Sequence, residues 1–77
     1  MKKELLDNAV VLSNRNEHGH MIRFKDGCYL TIFSYQIILW NSSGMVMAYV
    51  DLFLNEVVGE HITLKDFSTY IDEALTE

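Results

Sequence analysis

Gly27-Cys-Tyr-Leu-Thr-Ile-Phe-Ser-Tyr-Gln-Ile-Ile-Leu-Trp-Asn-Ser-Ser-Gly-Met-Val-Met-Ala-Tyr-Val50 is a run of 24 residues without an Asp, Glu, Lys or Arg. It is too apolar for a solvated loop and marks the core of the molecule. It is not a membrane span. Such a helix needs about 20 predominantly apolar residues, and Thr31, Ser34, Gln36, Asn41, Ser42, Ser43 and Gly44 interrupt the run. Met1-Lys2-Lys3 resembles the start of a secretory leader, but Glu4, Asp7 and Asn8 break the apolar stretch that would have to follow. The expected compartment is the cytoplasm, with no membrane contact.

The block opens on a hairpin whose register can be read directly. Phe24-Lys-Asp-Gly-Cys28 carries an Asp-Gly turn signal. A two-residue turn at Asp26-Gly27 would pair Lys25 with Cys28 and mix Lys25 and Arg23 with Cys28, Leu30 and Ile32 on one face. A three-residue loop, Lys25-Asp26-Gly27, pairs Phe24 with Cys28 and puts Gly27 in the left-handed position of a bulged turn. Ile22, Phe24, Cys28, Leu30 and Ile32 then share one face, and Met21, Arg23, Tyr29, Thr31 and Phe33 share the other. A one-residue slip exchanges the faces of the whole strand, so the cleaner separation selects the second register.

From Cys28 the chain runs to Asn41 as one long bent strand, or as two with a break near Ser34-Tyr35-Gln36. Ile37 and Leu39 face one way, Ile38 and Trp40 the other, and all four are apolar. A strand apolar on both faces is covered on both faces. With few elements available, the second cover is expected to be another subunit. Asn41-Ser-Ser-Gly44 is a turn, and Met45 to Val50 returns as a strand.

At the N-terminus, Lys2 to Asp7 reads as a short helix. Ala9 to Leu12 follows as a strand because of its adjacent valines; a helix continuing through Leu12 is the alternative. After the block, Asp51 can cap a short helix from Leu52 to Val58 with Gly59 as its stop, or the strand continues through Leu54. The last element is clearest. Thr63-x-x-Asp66 approximates a capping box, with Ile62 and Phe67 at the staple positions. Leu64, Phe67, Ile71, Ala74 and Leu75 then form one apolar stripe. The predicted fold is a single α+β domain over 1–77. It is a three- to four-stranded antiparallel meander, with strands near 9–13, 19–25, 28–40 and 45–50 and the C-terminal helix packed on one face.

A chain of 77 residues is marginal alone. Cys28 is its only cysteine, so no internal disulfide helps. With 49% hydrophobic residues, oligomerisation is the remaining aid, and a homodimer through the sheet is expected. Charge is unevenly placed. Residues 1–26 hold five Lys/Arg against four acids, whereas residues 51–77 hold one lysine against seven acids. The net charge of −5 disfavours direct nucleic-acid binding and suits a protein partner with a basic surface.

No constellation of chemistry emerges. His18, His20 and Cys28 have metal-ligating side chains. In the hairpin register, however, His20 lies four residues beyond the position facing Cys28, about 13 Å away at strand rise, while zinc ligands sit about 2 Å from the ion. His61 has no evident partner. Cys28 shares its face with Ile22, Phe24 and Leu30, where a thiol behaves as a small hydrophobe. No serine has a base at a telling spacing, and no phosphate-binding glycine loop is present. No metal or cofactor is expected, and the chain reads as non-enzymatic.

The function expected is a small acidic protein-binding module, in its sharper form an inhibitor or adaptor of the kind carried by phages and mobile elements, which block host nucleic-acid machinery by occupying basic surfaces. A small-molecule or nucleic-acid-binding domain and a structural subunit of a larger assembly are the alternatives. Two sets of residues are candidates for partner contact. Asp66, Asp72, Glu73 and Glu77 lie on the polar side and end of the last helix. Tyr29, Phe33, Tyr35 and Trp40 are the aromatics of the uncharged block.

Overall fold

The computed structural model describes residues 2–16, 19–60 and 62–76. Helix α1 (Lys2–Arg15) is followed by five strands, β1 (His20–Arg23), β2 (Tyr29–Ile32), β3 (Gln36–Trp40), β4 (Val46–Asp51) and β5 (Glu56–Gly59), and by helix α2 (Leu64–Leu75). The strands form one antiparallel sheet in chain order. This is the expected α+β class, a meander with the C-terminal helix on one face, but with five strands rather than three to four: 28–40 divides in two and 56–59 adds an edge strand, while 9–13 is helical.

The β1–β2 hairpin adopts the three-residue loop. Ile22 pairs with Leu30 and Arg23 with Tyr29. The Phe24 amide donates to the Cys28 carbonyl at 2.9 Å and the Gly27 amide to the Phe24 carbonyl at 3.1 Å. Gly27 takes φ +91°, where a side chain is strained, and a Cβ there would sit 3.0 Å from Ser42 Cβ.

Two segments, 9–12 and 52–58, depart from the sequence reading, and 28–40 takes the second of its two readings. Ala9 to Leu12 is not a strand; α1 runs on to Arg15. Leu5, Ala9 and Leu12 fall on one helical stripe and are fully buried, and that stripe outweighs the strand preference of Val10 and Val11, which point outward. The segment 28–40 is two strands. Phe33 and Gln36 close a turn through a 2.8 Å amide–carbonyl bond, and Ser13 of α1 donates to the carbonyls of Phe33 and Ser34, both at 3.2 Å. Residues 52–58 are not a helix. Asp51 Oδ1 accepts from the amides of Phe53 and Leu54, each at 3.0 Å. Asn55 takes φ +55°, which closes a turn into β5.

The α2 cap is as read. Thr63 Oγ1 accepts from the Asp66 amide at 3.2 Å and donates to Asp66 Oδ2 at 3.0 Å. Both helices cover the same face of the sheet. Leu5, Ala9 and Leu12 from α1 and Phe67, Ile71 and Ala74 from α2 join Leu30, Ile32, Ile37, Leu39, Ala48 and Val50 in one core. α2 enters over the end of β5, where a Cβ on Gly59 would lie 2.6 Å from the Ile62 carbonyl oxygen.

Candidate functional site

With both helices on one face, strand alternation leaves the other face without a cover among the described residues. Its central row runs Met21, Thr31, Ile38, Tyr49 and Val58 across all five strands, and the adjacent row runs Arg23, Tyr29, Trp40 and Val46. A bulge between Leu39 and Trp40 pairs Trp40 with Val46, which turns Met47 toward the core. The surface is half-buried by its own bulk: Tyr29, Thr31, Ile38, Trp40, Val46, Tyr49 and Val58 are all partly exposed, and Met21 at the edge is 46% exposed.

This face is ordered by specific contacts. The Tyr29 and Trp40 rings stack at 6.1 Å between centroids, 11° from parallel. The Arg23 guanidinium lies 5.2 Å from the centre of the Tyr29 ring, within cation–π range. The Trp40 indole Nε1–H donates to Thr31 Oγ1 at 2.9 Å, so the polar atom of the largest ring is satisfied within the face. The stack, the cation–π contact and the indole hydrogen bond together hold the aromatic side chains of this face in place.

Tyr29 and Trp40 are thus brought together, while Phe33 and Tyr35 are elsewhere. Both sit in the β2–β3 turn, where Tyr35 meets Phe53 of the β4–β5 turn edge-on at 6.0 Å. Tyr35 is 65% and Phe53 77% exposed. The Leu52 amide ties the two turns together by donating to the Tyr35 carbonyl at 2.7 Å. Phe53 was not legible as part of this tip, because the stretch containing it reads as a helix.

The acidic set also divides. Asp66 and Glu73, seven residues apart on α2, line one cleft of ≈ 350 Å³. The Asp26 carboxylate from the β1–β2 loop joins them, over an apolar lining of Met47, Ile62 and Tyr70. Asp72 points the other way and accepts from Asn8 Nδ2 of α1 at 2.9 Å. Glu77 lies outside the described residues, as do His18 and His61.

Asp26 is the member that sequence spacing could not supply. The Tyr70 hydroxyl donates to Asp26 Oδ2, and the Cys28 amide donates to Asp26 Oδ1 at 2.9 Å. The Tyr70 bond first, and the Cys28 amide second, hold the Asp26 carboxyl below its ordinary value. The same bond, then burial, pushes the Tyr70 phenol up. Cys28 is buried at 9% exposure, its Sγ 3.6 Å from the Tyr70 hydroxyl and 4.0 Å from Met47 Sδ. His20 lies apart, lining a small cleft with Leu12, Arg15 and Asn16.

Among the described residues, no helix is long and apolar enough to cross a membrane. Comparison with protein-family models, with curated proteins and with solved structures gives no match for this chain.

Proposed function

We propose that this chain is a small acidic, non-enzymatic protein-binding module that docks through the uncovered face of its sheet. The observation that carries the reading is the two-row surface of Met21, Tyr29, Ile38, Trp40, Val46, Tyr49 and Val58, which no described element of the chain covers. A flat apolar surface with rigid aromatics fits a protein partner. A small ligand would instead be enclosed in a concave pocket. Nucleic acid fits poorly: Arg23 is the one basic residue in the two rows, and the net charge is −5.

The cleft lined by Asp26, Asp66 and Glu73 supports a second contact, with a basic protein surface. In that form the module is an inhibitor or adaptor that occupies basic surfaces of nucleic-acid machinery, a role reached by analogy of size and charge.

The test is affinity capture from nuclease-treated native lysate on three immobilised proteins: the wild type, Ile38→Glu and Glu73→Lys. Thermal melts establish that each is folded. A defined set of proteins retained by the wild type and lost with Ile38→Glu is the expected result. Loss with Glu73→Lys as well assigns the acidic cleft to the same partner. Retention of nucleic acid alone, or of the same proteins by Ile38→Glu, would overturn the reading.

A further inference from the structure

We infer that the occupant of the open face is a second copy of this chain, related by a two-fold axis that runs along β3. The inference rests on the protein-docking reading of that face and adds the partner and its geometry.

Two sheets meeting face to face through a closed dimer need a two-fold axis lying in the plane between them. The charges at the corners of the face choose among the possible axes. Arg23 ends β1, at one edge of the sheet. Glu60 follows β5 at the other edge and at the same end of the sheet, where its amide donates to the Met47 carbonyl at 2.7 Å. Glu56 begins β5 at the opposite end, paired with Asp51. Among the described residues, the fourth corner, at Gly19 before β1, carries no charged side chain.

An axis across the strands sets Glu56 against the partner copy's Glu60. An axis along the diagonal from Gly19 to Glu60 pairs Arg23 with the partner copy's Glu56 but sets Glu60 against itself. An axis along the other diagonal sets both Arg23 and Glu56 against themselves. Each arrangement places like charges opposite one another, which disfavours a complex strongly. The axis along β3 brings Arg23 opposite Glu60 of the second copy twice over and, among the described residues, brings no like charges together.

That axis also gives complementary packing. β3 lies on its own counterpart, so Ile38 and Trp40 meet their equivalents at the centre. β2 lies over β4 of the other copy, setting Tyr29 against Val46 and Thr31 against Tyr49. β1 lies over β5, setting Met21 against Val58. The strands of the two sheets are then nearly aligned, the arrangement twisted sheets adopt at about 30°. Five strands of about four residues cover roughly 350 Å² in projection, below the ~800 Å² per partner of a standard interface. The dimer is accordingly a weak, reversible one.

The test combines sedimentation equilibrium with cysteine cross-linking on the full chain. The wild type, whose Cys28 is buried, serves as the blank for a short bis-maleimide. Gln36→Cys, on the outer side of β3 beside the axis, should cross-link to itself. Met21→Cys alone, at the sheet edge and far from its equivalent, should not, whereas Met21→Cys with Val58→Cys should. Arg23→Glu should weaken the dimer roughly tenfold through two like-charge contacts, and adding Glu60→Lys should restore it.

A wild type that stays monomeric at millimolar concentration would overturn the inference. So would self-cross-linking of Met21→Cys without that of Gln36→Cys, or a dimer indifferent to Arg23→Glu. These failures are separable from failure of the docking reading, which stands if Ile38→Glu still abolishes capture of another protein and falls if it does not.

Discussion

The hydroxyl of Tyr70 donates a hydrogen bond to the carboxylate of Asp26, fastening the middle of α2 to the loop of the first hairpin. The bond joins residues 44 apart in sequence and closes the inner wall of the acidic cleft. Phe24 packs edge-on against the Tyr70 ring at 4.9 Å, so the same side chain contributes an apolar contact and a polar one.

Tyr70→Phe keeps the ring and removes the bond. Asp26 is solvent-exposed, so the bond is screened, and a loss of about 0.5–1 kcal/mol is expected. Asp26 titrates below its ordinary value of 3.8. Its contribution is therefore present above that pH and fades as pH falls through the lowered value. Tyr70 titrates above 10.0, so its contribution is present below that pH and fades in strong alkali. Denaturation of wild type and variant between pH 2 and 11 should show a gap in mid-range that narrows at both ends. A gap independent of pH would assign the effect to packing alone.

Thr63→Ala removes the side-chain cap of α2. The Asp66 amide loses its acceptor and the Asp66 carboxylate loses a donor. The expected cost is about 1 kcal/mol, with Thr63→Ser close to wild type. Urea denaturation midpoints at constant slope measure it. Equal midpoints for Ala and Ser would place the start of the helix elsewhere.

Gly59→Ala tests how α2 reaches the sheet. The added Cβ would fall 2.6 Å from a backbone oxygen, that of Ile62, so the chain must shift rather than a side chain rotate. Overpacking of this kind costs about 1–3 kcal/mol. A thermal midpoint unchanged by the substitution would mean that the entry to α2 is loosely held.

The hairpin, the cap and the inner faces of the central strands were legible because each rests on a local pattern: a turn residue at a fixed offset, a box of two side chains, a period of two. What was not legible involved competition between patterns. Val10 and Val11 favour a strand locally, but Leu5, Ala9 and Leu12 have a helical stripe to bury, and burial outweighs propensity. Asp51 can begin a helix or a turn with the same carboxylate, and only Asn55 at positive φ decides for the turn. The aromatic set was divided by the break at residues 33–36, which left Tyr29 and Trp40 on the sheet and carried Phe33 and Tyr35 into a turn. Asp26 was absent from the acidic set because its neighbours on α2 are distant in sequence. The unoccupied outer face itself was visible in the apolar character of Ile38 and Trp40.

Trp40 is the only tryptophan of the chain and lies on that outer face, so its fluorescence reports directly whether the face is covered. Acrylamide quenching of Trp40 should be followed while the pure protein is diluted from about 500 µM to below about 1 µM, a range wide enough to follow dissociation of a weak dimer. The account predicts weak quenching at high concentration. On dilution quenching should grow and emission shift to the red, with Ile38→Glu already fully quenchable at the highest concentration. Strong quenching that stays the same across the whole range would contradict it, since the face would then be open to solvent with a second copy in abundance.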